Sequence, residues 1–234
     1  MAQKKNSSYT LDIYPTTEMV HVDGVANESV WKYAKVAKDF FMVLPMDTSL
    51  ARVKTEVQMT FDKNNLYLLA ICYNALPGPE MVESLRRDFD FLKNDNFIVF
   101  IDPFDDQTNG FAFGTNADGA QWDGLMYQGG SVDLNWDNRW KSAVKHYADR
   151  WVLEMAIPFK TLRYKKGVTK WGINFSRNDL KTTEKSSWAP VPRQFPTAAL
   201  AYTGSLLWSI EPPVQKNNVS LIPYVLTGDS KKFI

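Results

Sequence analysis

The stretch "RVKTEVQMTFD" constrains the fold more than any other. Val53, Thr55, Val57, Met59 and Phe61 alternate with Lys54, Glu56, Gln58 and Thr60, and side chains that change face at every residue give a strand with one buried and one wet side. After the turn-forming "KNN", the run "LYLLAICYN" has no wet face, which suits a strand in the middle of a sheet. The two together predict an antiparallel hairpin.

More of the chain follows the same rule. "DNFIVFIDPF" and "GFAFGTNADG" read as strands around the turn "DDQTNG", and "AQWDGLMY", "RWKSAVKHYA", "RWVLEMAIPF", "KWGINFSRND" and "LAYTGSLLWSI" follow with Gly, Pro and Asn between them. Only "ANESVWKYAKV" has helical spacing, with Asn27 or Ser29 as its cap. Roughly nine short strands at regular spacing predict an all-β fold. The expected form is an antiparallel two-sheet β-sandwich, jelly-roll or immunoglobulin-like, with one short helix.

The 234 residues suffice for one sizeable core. We expect residues 1–14 to be an extended or disordered lead-in, 15–212 the sandwich, and 213–234 a linker ("SIEPPVQKNN" is Pro-rich and polar) followed by the strand-like "VSLIPYVLTGDSKKFI". Lys and Arg number 27 against 26 Asp and Glu, so no basic field exists to hold a phosphate backbone, and nucleic acid is excluded as a partner. Cys72 is the single cysteine, which rules out a disulfide within the chain and leaves the compartment open. No apolar run approaches the roughly 20 residues of a spanning helix.

Chemistry-bearing residues gather in the turns. Sugar recognition needs aromatic faces for the C–H patches of the ring and a few planar polar groups for its hydroxyls. Trp122, Tyr127, Trp136 and Trp188 lie in turn-rich stretches beside Asp123 and are candidate ligand-binding residues, although each indole also has a reading as part of the core. "RRDFDFLKND" places Arg87 where its guanidinium can fork onto a carboxylate or an acidic glycan group; a solvated ion-pair loop is the alternative. "DPFDDQTNG" gathers Asp102, Asp105, Asp106 and Asn109, a candidate Ca²⁺ loop, with a plain hairpin turn the favoured reading, since Asp, Asn and Gly suit turns without any ion. His21 and His146 are far apart without a cysteine pair, so zinc is not expected. No phosphate loop or nucleophile elbow is present, and no pair of carboxylates stands out for glycoside hydrolysis.

"VDGVANESVW", "KTEVQMTFDKNNLYLLAICY", "RRDFDFLKNDNFIVFIDPFDD", "GFAFGTNADGAQWDG", "NWDNRWKSA", "WVLEMAIPFKTLRY", "WGINFSRND" and "SSWAPVPR" follow one another in an order that resembles carbohydrate-binding module family nine. The set looks most like the amino-terminal domain of a group of Bacteroidetes outer-membrane proteins that continue into a β-barrel of unassigned function. The resemblance covers about residues 15 to 212 and makes "LIPYV" the barrel's first strand. It implies a non-catalytic, exported glycan-binding sandwich in the periplasm or at the cell surface, attached to its own barrel. An interaction domain that binds no sugar, or part of a xylanase-like glycoside hydrolase system in carbohydrate catabolism, are the alternatives. In sugar-binding members the resemblance implies an acidic residue inside the strand matching "DNFIVFID"; here Phe97, Ile98 and Val99 stand there.

Overall fold

The computed structural model describes residues 5–213. They form β1 (Thr10–Ile13), α1 (Val30–Tyr33), β2 (Val36–Ala37), β3 (Phe41–Leu44), β4 (Thr55–Phe61), β5 (Asn65–Tyr73), β6 (Asn96–Asp102), β7 (Gly110–Asn116), β8 (Gln121–Tyr127), β9 (Ser131–Asp133), β10 (Lys141–His146), β11 (Arg150–Pro158), β12 (Lys170–Asp179), β13 (Glu184–Ser187) and β14 (Gly204–Trp208). Two sheets result. The larger runs β1-β14-β12-β6-β7-β8-β9, with β13 and β3 attached beside β12; the smaller runs β10-β11-β5-β4-β2.

The alternating segment and its apolar neighbour are β4 and β5, paired antiparallel from Thr55↔Cys72 to Phe61↔Leu66. β5 lies between β11 and β4, which is where a strand without a wet face belongs. Its even-numbered residues Leu66, Leu68, Ala70 and Cys72 join Val99, Phe113, Phe175 and Trp171 of the large sheet in the main core. Burial pushes the Cys72 thiol up to about 12, so it is an inert core residue.

Both sheets are also covered on their outer faces. Ile98, Phe100, Ala112, Trp122 and Met126 pack under Phe89, Ala198 and Leu200 outside the large sheet. Trp31 of α1 packs with Val20 on Tyr67, Leu69, Val152 and Ala156 outside the small one. This double cover buries all seven residues of β6.

The structure departs from the sequence reading in three places. Residues 10–13, expected in a lead-in, form β1 and pair in parallel with β14, so the large sheet is mixed rather than purely antiparallel. The helix is a single turn, and Ser29 makes no side-chain cap bond of its own; Glu18 instead accepts from the Ser29 amide and hydroxyl and from the Val30 amide. Short pairings that carry no legible alternation, β2, β3, β9 and β13, raise the strand number above nine. The reading of "LIPYV" as a barrel strand falls outside the described residues.

Candidate functional site

Cross-strand register decides which side chains of β8 point inward. Phe111 lies opposite Leu125 and Phe113 opposite Asp123, and residues paired this way share a face. Phe111 and Phe113 belong to the core between the sheets, so Asp123, Leu125 and Tyr127 point towards the small sheet. Yet Leu125 is 38% and Tyr127 42% exposed. The smaller sheet ends at β10 and does not reach over them. The last two strands of the large sheet therefore form a ledge whose inner face is buried at Asp123 and uncovered at Leu125 and Tyr127.

The chain after β9 folds back onto this ledge. Trp136, half-buried, rests on Phe111 and Phe113 at ring separations of 5.3 and 6.0 Å. Its loop is clamped by Arg87. The guanidinium donates to Asp137 Oδ1 at 3.1 Å, to Gln121 Oε1 at 2.8 Å, to the Asn138 carbonyl at 3.1 Å, and to Asp123 Oδ1. Asp123 accepts the Asn138 amide at 2.8 Å through its other oxygen, and burial holds its carboxyl above the ordinary value against the lowering effects of that amide and of Arg87. Four of the five guanidinium N–H groups are thus engaged. Arg87 fixes the loop that carries Trp136, and among the described residues one of its N–H groups makes no hydrogen bond.

Of the sequence candidates, Arg87 and Asp123 come together around the loop that follows Trp136, and Tyr127 lies further along the same face of β8. Trp122 and Trp188 do not join them. Trp122 is only 7% exposed and points to the opposite face of β8 from Asp123, into the outer apolar cluster. Trp188, 5% exposed, packs between Tyr9 and Phe175. A buried indole has no face to offer a ligand, so these two are structural. Leu125 and Asp133, which face the same ledge opposite one another, were not singled out from sequence, because their accessibility depends on where the other sheet ends.

The strand expected to carry an acidic residue carries Ile98, sealed in the outer cluster with Phe100 and Trp122. In the 102–109 loop the carboxylates are turned onto the loop's own amides or onto Lys170. Asp102 accepts from the amides of Phe104, Asp106 and Gln107, Asp106 from those of Thr108 and Asn109, and Asp105 faces Lys170 at 3.4 Å. Among the described residues no group of three His, Cys, Asp or Glu side chains is arranged to hold a metal ion. Glu154 and Glu184 belong to different sheets, and each accepts backbone amides: Asp23 and Gly24 for the first, Arg52 and Val53 for the second.

A two-sheet β-sandwich with a clamped aromatic ledge at one edge defines the class as that of the β-sandwich binding modules. Residues 22–192 match the family model described as "Carbohydrate family 9 binding domain-like", and the chain belongs to that family. Among solved structures it is similar to a family 9 carbohydrate-binding module from Caldicellulosiruptor kristjanssonii in complex with cellotriose, at 13% identity and a TM-score of 0.61, covering 92% of this chain and 100% of that one. The same organism's module in complex with glucose matches at 12% identity and a TM-score of 0.60, covering 91% and 100%. A candidate carbohydrate-binding protein from Bacteroides uniformis matches at 13% identity and a TM-score of 0.65, covering 86% and 98%. These likenesses are of fold. No curated protein matches the chain significantly.

Proposed function

We propose that this domain binds a neutral glycan on the ledge of β8 and β9, with Trp136 as the stacking face and Leu125 and Tyr127 as its flanks. The observation that carries the reading is the partly buried Trp136 ring, followed by an Asp137 side chain bound to Arg87 and an Asn138 backbone held by Arg87 and Asp123. A pre-positioned aromatic binds without the cost of ordering its loop. Asp133 and Asp137 rim the ledge and accept hydrogen bonds from sugar hydroxyls, while their charge disfavours uronic acids. The glucose and cellotriose bound by the Caldicellulosiruptor modules make β-glucans the first glycans to try.

The finer reading is that the domain is exported and sits in the periplasm or at the cell surface, ahead of an outer-membrane barrel. The ordered family segments and the likeness to the Bacteroides uniformis protein support it. Among the described residues no helix is long and apolar enough to cross a membrane, which leaves a strand-built barrel open. Fractionation of the native host tests the location: recovery in the cytosol contradicts it.

Calorimetric titration against soluble β-glucan, xylan, mannan and cellotriose tests the binding. Wild type should release heat with at least one, and Trp136→Ala should lower that affinity at least tenfold while still unfolding cooperatively. Equal binding by the variant removes the ledge. Silence across the panel favours the alternative of an interaction domain.

A further inference from the structure

A second aromatic cleft lies away from the ledge, where the chain leaving β1 crosses the small sheet's β4 edge beside α1. It has a volume of about 350 Å³ and is lined by Tyr14, Thr16, Thr17, Ser29 and Tyr33, with Met59 and Thr60 behind. Tyr14 is 49% and Tyr33 81% exposed. A lone exposed tyrosine calls for no explanation; two on one cleft, each on a fixed backbone, do. The Tyr14 carbonyl accepts the Thr60 hydroxyl at 2.9 Å, and the next two residues are tied to Phe61 through the Pro15 bridge and the Thr16 amide at 2.7 Å. Tyr33 ends α1, which is anchored by buried Trp31, by Glu18 at its first turn and by Gln58 donating to the Ala34 carbonyl at 3.0 Å.

The floor of the cleft argues about its occupant. Among the described residues β2 pairs with Val57 and Gln58, and Pro15 bridges Phe61, so the stretch of β4 edge left open between them at the cleft is Met59 and Thr60. Two residues of free edge are too few to seat an added peptide strand, which needs a run of main-chain hydrogen bonds. The walls carry two phenol rings, threonine and serine hydroxyls and the Glu18 carboxylate, which keeps acceptor capacity beyond its bonds to α1. Flat rings with a few hydroxyl-matching polar groups suit the two sides of a sugar ring. The volume lies near the lower end of the roughly 300–1,000 Å³ of small-ligand sites, which fits one or two sugar units.

We propose that Tyr14 and Tyr33 form a second glycan subsite for a neutral pyranose, which would make the domain bivalent towards polysaccharide. The proposal rests on the reading of the chain as a glycan-binding domain but not on the ledge being its site. A bivalent module holds a polymer more tightly than either site alone, through effective concentration.

Titration of wild type, Trp136→Ala, Tyr33→Ala and Tyr14→Ala with cellotriose and with short xylan and mannan oligosaccharides tests it, read as stoichiometry and affinity per chain. Two sugars per wild-type chain are expected, with each tyrosine variant losing one equivalent, or about tenfold in its affinity, and retaining the other within twofold. A single equivalent that Trp136→Ala removes and both tyrosine variants keep overturns this subsite and leaves the ledge standing. A single equivalent lost only in the tyrosine variants supports the subsite and overturns the ledge. Wild type that binds none of the probes overturns both. Tyr33 is mostly solvated, so its loss leaves the fold intact.

Discussion

At the scale of single residues, Arg87 and Asp123 carry the clearest energetic consequence. Asp123 is buried, while Arg87 is about a third exposed. Removing a partner from a buried pair costs roughly 3–5 kcal/mol when both are buried, and solvent around the arginine reduces that. Arg87→Ala should therefore destabilise the domain by about 2 kcal/mol in urea unfolding, rather than leave folding untouched as an arginine in a solvated loop would. Adding Asp123→Asn to Arg87→Ala should recover part of the loss, because no charge is then stranded; a loss below about 0.5 kcal/mol for the single variant contradicts the clamp. Glycan affinity should fall with it, since the Trp136 loop is released. Much of this was hidden in the sequence. Trp122 and Asp123 are neighbours in the chain, and period-two alternation says that they face opposite sides but not that the indole's side is the one sealed by Phe89 and Leu200. Trp136 in "NWDNRW" was legible as turn-borne and Trp140 as opening the strand pattern "RWKSAVKHYA", and Trp140 is indeed buried in the core; that Trp136 would lie against Phe111 and Phe113 was not legible.

Among the elements, β11 holds a carboxyl that titrates near neutrality. Glu154 is buried on the outer face of the small sheet, accepts the Asp23 and Gly24 amides at 3.0 and 2.9 Å on one oxygen, and among the described residues has no hydrogen-bond partner for the other. Burial, with the nearby Glu28 and Asp23 charges in the same direction, lifts it from its ordinary 4.5 to about 7. The native state then holds this proton more tightly than the unfolded chain does. Its contribution to stability is complete below about pH 4.5 and fades as pH rises through about 7. The change amounts to as much as about 3 kcal/mol. Glu154→Gln should flatten the stability profile over that window and raise stability at pH 8; an unchanged slope in denaturant titrations at pH 5, 6, 7 and 8 contradicts the assignment. The bond also explains Gly24, whose φ of +81° and close approach to Lys145, 2.9 Å from where a Cβ would stand, leave no room for a side chain. From the sequence, Glu154 was legible as strand-borne because it alternates within "VLEMAIPF"; the loop that covers it was not, being 130 residues away. β4 and β5 were legible because their pattern is local. β1 was not, because four residues of "TLDI" become a strand only when β14 lies beside them.

For the whole molecule, the sandwich follows from apolar runs that must be covered on two sides, and this much could be read from the chain. Which sheet each strand joins, and that one sheet outgrows the other, could not, since both depend on pairings between distant segments. That inequality of the sheets creates the ledge. The 102–109 carboxylates are held by backbone amides and Lys170, so a chelator should leave the melting temperature within about 1 °C, a far smaller shift than the several degrees that about 1 kcal/mol of bound-ion stabilisation gives; a drop of several degrees restores the calcium reading. The central claim, a sugar stacked on Trp136, is tested most directly by following the eight tryptophan indole N–H resonances during titration with the best glycan of the panel. The account predicts that the Trp136 signal moves to saturation while those of Trp122 and Trp188 stay in place. A saturating glycan that leaves Trp136 unmoved contradicts it.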